Sequence, residues 1–250
     1  MRILALNLRA GGNADTVPRI LQRASYVDAD TLVLSEHRDN SVGGRLRSEA
    51  ERRGFAHQAF TPSKRGNGVL VASTKPFRAV ANPFGLSEDE YPNAVLQGAF
   101  EGFDLYGVYL PGQDRKRPHL RCLIALAART NEMGSSALCI GDFNSGRNET
   151  DIEVNARSGQ RRDEFSTADL YAELETYWTE AWAHLHPGEY DFSWYPFRLD
   201  PVRVSRAGWR IDKAFLSPKL VPRLRAAEYD HWFRHDRLSD HSGLIVDIDV

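Results

Sequence analysis

Polar side chains that can bind metal ions and phosphates stand at the ends of four hydrophobic runs in this chain. They are Asn7 after Ile3-Leu4-Ala5-Leu6, Glu36 after Leu32-Val33-Leu34-Ser35, Asp142 and Asn144 after Ala137-Leu138-Cys139-Ile140, and Asp240 and His241 before Leu244-Ile245-Val246. The runs are typical of buried strands, and strand ends hold side chains in fixed positions at the surface of a rigid sheet. Three carboxylates, two carboxamides and a histidine together favour chemistry on a phosphate ester with a hydrated divalent cation.

Five motifs follow one another along the chain in an order that is itself informative. They are Asn7, Glu36, Gly141-Asp142-Phe143-Asn144, Arg210-Ile211-Asp212 and Ser239-Asp240-His241. In this order the chain resembles the endonuclease/exonuclease/phosphatase superfamily, from about residue 3 to about residue 247. Three further segments are similar to the exonuclease III type of abasic-site endonuclease: Val108-Tyr109-Leu110-Pro111, Asp191-Phe192-Ser193-Trp194-Tyr195 and Gly208-Trp209-Arg210-Ile211-Asp212.

The resemblance implies a role for each matched residue. Glu36, with Asn7 and Asp240, would bind Mg²⁺, with Mn²⁺ as an alternative. The catalytic set would be Asp142, which orients or deprotonates the attacking water, Asn144, which holds a phosphate oxygen, the Asp212–His241 pair, which stabilises the phosphate, and Tyr109, whose hydroxyl lies near it. Trp194 and Trp209 would form the walls of a pocket for a flipped-out, base-less sugar. We also expect Arg115 and Asn67 to contact the substrate.

Each of these residues also has a structural interpretation. Glu36 could cap a turn, and Asp142 and Asn144 could bond the backbone of an Asx-type turn. Tyr109 is equally well explained as a strand aromatic packed in the core, and a tryptophan is more often simply buried. The metal and phosphate interpretation is favoured because many polar groups are expected to converge on one site.

The chain departs from the abasic-endonuclease pattern at several positions. Arg9 stands where some relatives have a second metal-binding aspartate, which favours a single tight metal site. The loop Leu8-Arg9-Ala10-Gly11-Gly12 is shorter and richer in glycine than the usual DNA-contacting loop of the abasic endonucleases. Gly112 stands where these enzymes commonly have a polar residue after the Tyr-x-Pro motif. The segment Ser145-Gly146-Arg147-Asn148-Glu149-Thr150-Asp151 has no clear match. Metal-dependent phosphodiester hydrolysis is compatible with all these departures, whereas specificity for abasic sites is less well supported.

Composition sets wider limits. The chain has 250 residues, 42% of them hydrophobic and 26% charged, with a net charge of −2. This gives no global attraction to nucleic acid, but basic residues cluster locally: Arg115, Lys116, Arg117, His119 and Arg121, then Arg157, Arg161 and Arg162. Cys122 and Cys139 stand among apolar residues without metal-ligand spacing, as in a reducing compartment. No apolar stretch has the length of a signal peptide or membrane span, so we expect a cytoplasmic monomer that does not bind membranes.

Periodicity predicts an α/β protein. We expect strands at Arg2 to Leu8, Thr31 to Ser35, Phe55 to Phe60, Gly68 to Thr74, Ala94 to Phe100, Asp104 to Leu110, Ala137 to Ile140, Ile211 to Leu216, Ala227 to Tyr229 and Gly243 to Val250. We expect helices after a cap at Asp15, over Gly44 to Arg53, after Pro118, near Arg162 to Glu173 and over Glu175 to His184. Since no linker divides the chain, we expect one domain over residues 1–250. The resemblance implies a DNase I-like four-layer α/β sandwich, in which two mixed sheets pack face to face and helices lie outside.

Three functions are compatible with these observations. The first is a Mg²⁺-dependent DNA nuclease of exonuclease III type, which cuts at abasic sites or degrades 3′ ends by a single water attack on phosphorus. The second is a phosphodiesterase or phosphatase for small molecules or lipids, favoured by the near-neutral charge and the glycine-rich early loop. The third is a non-catalytic DNA-binding module, which would have no need of the acid, amide and histidine set.

Overall fold

The computed structural model describes residues 1–62, 66–154, 164–196 and 208–250. Among these residues the strands are β1 (Arg2–Asn7), β2 (Thr31–His37), β3 (His57–Phe60), β4 (Gly68–Ser73), β5 (Arg78–Ala81), β6 (Val95–Phe100), β7 (Phe103–Tyr109), β8 (Ala137–Asp142), β9 (Thr179–Glu180), β10 (Asp212–Leu216), β11 (Leu224–Asp230) and β12 (Gly243–Ile248). The α-helices are α1 (Thr16–Tyr26), α2 (Ser41–Arg52), α3 (Arg117–Glu132), α4 (Ala168–Glu175), α5 (Ala181–Leu185) and α6 (Trp232–His235). No helix in the described ranges is both long and apolar enough to cross a lipid bilayer.

The described strands form two mixed sheets of six strands each, with the orders β11-β12-β1-β2-β4-β3 and β5-β6-β7-β8-β10-β9. β1 pairs with β2 in parallel, β7 pairs with β8 in parallel, and the other pairs are antiparallel. The two parallel pairs stand near the middle of their sheets. Their strands are covered on both faces, which explains why β1, β2 and β8 read as almost unbroken hydrophobic runs.

The two sheets face each other across a shared apolar core. Val33, Val69 and Val71 of one sheet pack in the same cluster as Leu105 and Ile140 of the other. The sheets approach so closely at Gly107 that a Cβ atom there would lie 2.9 Å from Val33 Cγ1. Glycine at this position is therefore required by the contact between the sheets.

Helices cover the outer faces of both sheets. Apolar residues of α1 and α2 pack on the β1–β2–β4 side, and those of α3 and α4 pack on the β7–β8–β10 side. The layers are thus helix, sheet, sheet and helix. The predicted four-layer α/β sandwich is confirmed.

Two local predictions were wrong, and two strands were missed. The helix expected over Glu175 to His184 is interrupted, because α4 ends at Glu175 and β9 precedes α5. Trp178 is buried in the core beneath α3 and α4, and the Glu180 side chain accepts hydrogen bonds from the first N–H groups of α5. Asp15 makes no side-chain capping bond at the start of α1; the side chain of Asn13 accepts from the N–H groups of residues 15 and 16 instead. The strands that were not predicted are β5, in which Arg78, Ala79 and Ala81 are exposed, and β9, which has two residues.

Candidate active site

The strand register places Tyr109, Asp142 and Asp212 side by side at one end of the second sheet. Tyr109 pairs with Asp142 across β7 and β8, and Asp142 pairs with Asp212 across β8 and β10. Asn7 ends β1 in the facing sheet. Its Nδ2 donates to Asp142 Oδ2 at 2.9 Å and to Glu36 Oε1 at 3.3 Å. One carboxamide therefore joins the polar ends of both sheets.

Glu36 is turned toward this end of the sheets by a local irregularity in β2. Its φ is +57°, a left-handed backbone conformation that residues other than glycine seldom adopt. The register with β4 also shifts between Ser35 and His37, as in a β-bulge. The carboxylate accepts hydrogen bonds from the N–H of Ala10 and, at 3.3 Å, from the hydroxyl of Tyr109. Strained backbone of this kind persists where the surrounding contacts hold it, and it is common at functional sites.

Asp142 and Asn144 share a tight turn after β8. Gly141 just before them has a φ of +141°, and a Cβ there would lie 2.2 Å from Val108 O, so only glycine fits. Asn144 N–H donates to Asp142 Oδ1 at 2.8 Å. Asn144 Nδ2 donates to Leu110 O at 2.8 Å and to Asp142 Oδ2 at 3.2 Å. The Asx-type interpretation is thus correct for this turn, and Asn144 Nδ2 already has two acceptors within the protein, Leu110 O and Asp142 Oδ2.

His241 and Asp212 form a buried pair, with Nδ1 of the ring 2.8 Å from Asp212 Oδ2. Ser239 Oγ accepts from the N–H of His241 at 3.1 Å and donates to Asn7 O at 2.7 Å, which ties this turn to β1. Burial alone would lower the pKa of His241, but the charge and hydrogen bond of Asp212, together with the charges of Asp142 and Asp240, outweigh it and raise the pKa to about 10. The imidazole is therefore held in its charged form and in one orientation.

For Asp142, burial is the dominant effect on the pKa. Burial raises the pKa of its carboxyl to about 7, an effect that the positive charge on His241 partly offsets. A carboxylate with such a pKa is a stronger base than an exposed aspartate. Its atoms and those of Asp212 and His241 form one group, within the described ranges, whose possible ligand atoms all lie within 4.8 Å of one another.

Asp240 lies beside the paired tryptophans. Trp194 Nε1 donates to Asp240 Oδ2 at 3.1 Å, and Tyr195 N–H donates to Asp240 O at 3.2 Å. Trp194 and Trp209 pair through their backbones, and their ring centroids are 5.0 Å apart at an angle of 38°. One predicted pocket wall, Trp194, therefore contacts the candidate metal ligand Asp240, and the other, Trp209, packs against Trp194. The two indoles contact each other, however, and no pocket is open between them.

The remaining predicted substrate residues are Asn67 and Arg115. Asn67 accepts from Arg38 Nε at 2.7 Å and donates to the hydroxyl of Tyr109 at 3.5 Å. Arg115 is exposed in a 3₁₀ turn, Gln113–Lys116, and its guanidinium makes no hydrogen bond or ion pair with a described residue. Three further members of the predicted basic clusters, Arg157, Arg161 and Arg162, lie outside the described residues.

Sequence reasoning missed Lys116 as a residue of the site. Its side chain is buried, and Nζ donates to Asn144 O at 2.6 Å. Burial lowers its pKa to about 8, although the charge of Asp142 opposes this effect. In the sequence Lys116 stands inside a basic run, where it has no feature that separates it from its exposed neighbours.

A buried ion network beneath the site was also missed. Asp151 Oδ1 accepts from Arg210 Nε at 2.8 Å, and Asp151 Oδ2 accepts from Lys213 Nζ at 2.8 Å. The Arg210 guanidinium also lies over the ring of Trp182, 4.3 Å from its centroid. The network ties the segment after β8 to Arg210 and Lys213, the two residues that flank Ile211 and Asp212. It therefore joins this segment to the start of β10, where Asp212 lies.

Known proteins resemble this chain in sequence family and in fold. The model of the Endonuclease/Exonuclease/phosphatase family matches residues 4–241. Three solved structures cover 100% of this chain and 100% of their own: an AP endonuclease from Archaeoglobus fulgidus (21% identity, TM-score 0.79), the 3′ phosphatase NExo from Neisseria bound to a product DNA hairpin (18%, 0.78) and the 3′-5′ exonuclease NExo from Neisseria meningitidis (19%, 0.78). At these identities the likeness establishes the fold. No protein with a curated description matches this chain in sequence.

Proposed function

Because this chain belongs to the endonuclease/exonuclease/phosphatase family and is a hydrolytic enzyme of the nuclease and phosphodiesterase class, we propose that it is a Mg²⁺-dependent DNA nuclease of exonuclease III type. It would cut DNA 5′ to abasic sites or process 3′ ends. The observation that carries the proposal is the double hydrogen bond of Asn7 to Glu36 and Asp142, which joins a candidate metal ligand to a candidate base.

The donor set fits a hard divalent cation. Glu36 and Asp240 are half-buried carboxylates, and neither forms an ion pair with an arginine or lysine among the described residues. With the amide oxygen of Asn7 they offer the oxygen ligands that Mg²⁺ prefers, and Mn²⁺ accepts similar ligands. When bound, the cation would supply positive charge to the phosphate and to the leaving oxygen. The group of Asp142, Asp212 and His241 fits a cation less well, because two of its members already pair with each other.

The remaining residues have separate roles in a single water attack. Asp142, oriented by Asn7 and by the N–H of Asn144, accepts a proton from the attacking water. His241, held by Asp212, donates a hydrogen bond from Nε2 to the phosphate and so stabilises the negative charge that develops there. The hydroxyl of Tyr109 donates a hydrogen bond to Glu36 at the same end of the two sheets. No step requires a covalent intermediate.

DNA as the substrate is supported by three observations. The solved structures of this fold include an AP endonuclease and a 3′ phosphatase with a product DNA hairpin. Arg38, Arg115 and Lys116 supply local positive charge beside the site despite the net charge of −2. Trp194 and Trp209 provide apolar surface next to Asp240, which suits a sugar without its base.

A second candidate, hydrolysis of a small phosphodiester, is favoured by one observation. The Trp194 and Trp209 rings contact each other, so the apolar pocket expected for an abasic sugar would require them to separate. A small substrate would need to contact only the polar residues around Glu36 and Asp142.

A substrate series separates the two candidates. We would compare a duplex with one abasic site, a duplex with a 3′-phosphate, an intact duplex and bis-p-nitrophenyl phosphate, using the wild type and Trp209→Ala. The nuclease proposal predicts strong preference for one of the first two and a selective loss of that preference in the variant. Equal loss on all four substrates would refute a role for Trp209 in selection. Hydrolysis of bis-p-nitrophenyl phosphate alone would favour the second candidate.

A further inference from the structure

Tyr91 belongs to none of the motifs, but it lies against the site. It stands between two 3₁₀ turns, Glu88–Glu90 and Pro92–Ala94, just before β6. Its φ is +65°, in the left-handed region that a residue with a bulky side chain rarely adopts. Such a conformation persists only where neighbouring groups hold it in place.

The group that holds Tyr91 is a buried histidine of α3. His119 Nε2 lies 3.0 Å from Tyr91 O, and because a carbonyl only accepts, this nitrogen carries the hydrogen. The two rings also meet edge to face, with centroids 6.5 Å apart at 71°. His119 is fully buried, so this contact has no competition from water. The backbone of Tyr91 is thus fixed from the helical layer.

The side chain of Tyr91 makes two contacts toward the site. Its hydroxyl donates to the backbone O of Asn67. Its ring meets the ring of Tyr109 edge to face, with centroids 6.1 Å apart at 67°. Burial raises the pKa of Tyr91, and the nearby Tyr109 and Glu36 raise it further, so the hydroxyl remains a donor at neutral pH.

These contacts converge on a single hydroxyl group. Asn67 Nδ2 donates to Tyr109 OH at 3.5 Å, and Tyr109 OH donates to Glu36 Oε1 at 3.3 Å. Tyr91 therefore contacts both the ring that carries this hydroxyl and the residue that bonds to it.

We propose that Tyr91 is a positioning residue, which fixes Asn67 and the ring of Tyr109 so that the Tyr109 hydroxyl stays directed at Glu36. This role rests on the proposed function, in which Tyr109 and Glu36 belong to the hydrolytic site. Tyr91 acts through Tyr109 and does not contact substrate. Its loss should therefore lower kcat and leave KM unchanged.

The test is a double-mutant cycle with Tyr91→Phe and Tyr109→Phe, assayed on bis-p-nitrophenyl phosphate with Mg²⁺. Phenylalanine keeps both rings and removes one hydroxyl at a time. We expect Tyr91→Phe to lower kcat about 5- to 10-fold, as for the loss of one hydrogen bond, and to have no further effect in the Tyr109→Phe background. Tyr106→Phe is the matched control, since Tyr106 is a buried tyrosine of β7 whose hydroxyl makes no hydrogen bond with a described residue.

The outcomes separate the two proposals. If Tyr109→Phe is impaired and Tyr91→Phe has the same effect in both backgrounds, or has none, the role of Tyr91 is wrong and the proposed function stands. If Tyr109→Phe retains full kcat, the assignment of Tyr109 to the site is wrong, and the role of Tyr91 is wrong with it. Thermal unfolding of all variants distinguishes a kcat effect from a loss of folded protein.

Discussion

Replacing Asp212 with asparagine tests whether His241 is charged in the site. Burial lowers the pKa of His241, but the charge and hydrogen bond of Asp212, 2.8 Å away, together with the smaller effects of Asp142 and Asp240, raise it to about 10. Asparagine has nearly the same shape and can still accept a hydrogen bond from Nδ1, but it carries no charge. In the variant the ring should therefore lose its proton at or below its ordinary pKa of about 6.5.

The magnitude follows from the size of the shift. A rise from 6.5 to about 10 corresponds to about 5 kcal/mol at 1.36 kcal/mol per pKa unit. Because the higher pKa is that of the folded state, this stabilisation is complete below pH 6.5 and is lost as the pH rises through the folded-state pKa. The free energy of unfolding of the wild type should thus approach that of Asp212→Asn between these two pH values.

Urea unfolding in EDTA, measured at intervals from pH 6.5 to pH 10, checks this prediction without a contribution from a bound cation. Asp230→Asn is the matched control: Asp230 pairs with Arg23 at 2.8 Å, and arginine does not titrate in this range. The stability gap between the wild type and Asp212→Asn should narrow with rising pH, whereas the gap for the control should stay constant. A constant gap for Asp212→Asn would refute the reasoning. At pH 7.5 we also expect kcat to fall about 10²- to 10³-fold, as when one transition-state donor is lost.

Three further predictions concern the metal, the buried network and pH. Glu36→Gln should raise the Mg²⁺ concentration needed for half-maximal activity about 10- to 100-fold, and an unchanged Mg²⁺ titration would contradict its role as a ligand. Asp151→Asn should lower the free energy of unfolding by about 3–5 kcal/mol, because it leaves its two buried cationic partners unneutralised; a loss under about 1 kcal/mol in urea would show that the network is not stabilising. Burial lowers the pKa of His119, so the unfolded state takes up its proton first, and wild-type stability should fall as the pH drops below about 6.5. His119→Gln should show a smaller fall, and identical slopes would speak against this account.

The sequence was sufficient to predict that Asn7 and Glu36 lie at or near the ends of strands. Asn7 and Glu36 follow runs of apolar residues that have to be buried. The polar residue that ends such a run lies where the strand leaves the core. The pairing of Asp142 with Asp212 could not be predicted in this way. It joins strands 70 positions apart, and strand order and register depend on packing between distant segments.

Other features of the site have no local sequence signal. Lys116 is buried while its neighbour Arg115 is exposed, although both stand in the same basic run. The left-handed conformation of Tyr91 depends on His119, which lies in a helix 28 positions away. The single domain over residues 1–250, the monomeric state and the cytoplasmic location stay predictions from the sequence.

The central claim is that these residues form a metal-dependent site for DNA hydrolysis. Its most direct test is cleavage of a labelled duplex with one abasic site, in Mg²⁺ and in EDTA, by the wild type and by Asp142→Asn. Asp104→Asn, a half-buried aspartate at the opposite end of β7 from Tyr109, serves as the control. The account predicts a nick 5′ to the abasic site or removal of 3′ nucleotides, in Mg²⁺ only, by the wild type and Asp104→Asn but not by Asp142→Asn. Cleavage that persists in EDTA, or in Asp142→Asn, would contradict it, as would a duplex left intact by wild-type protein that still hydrolyses bis-p-nitrophenyl phosphate.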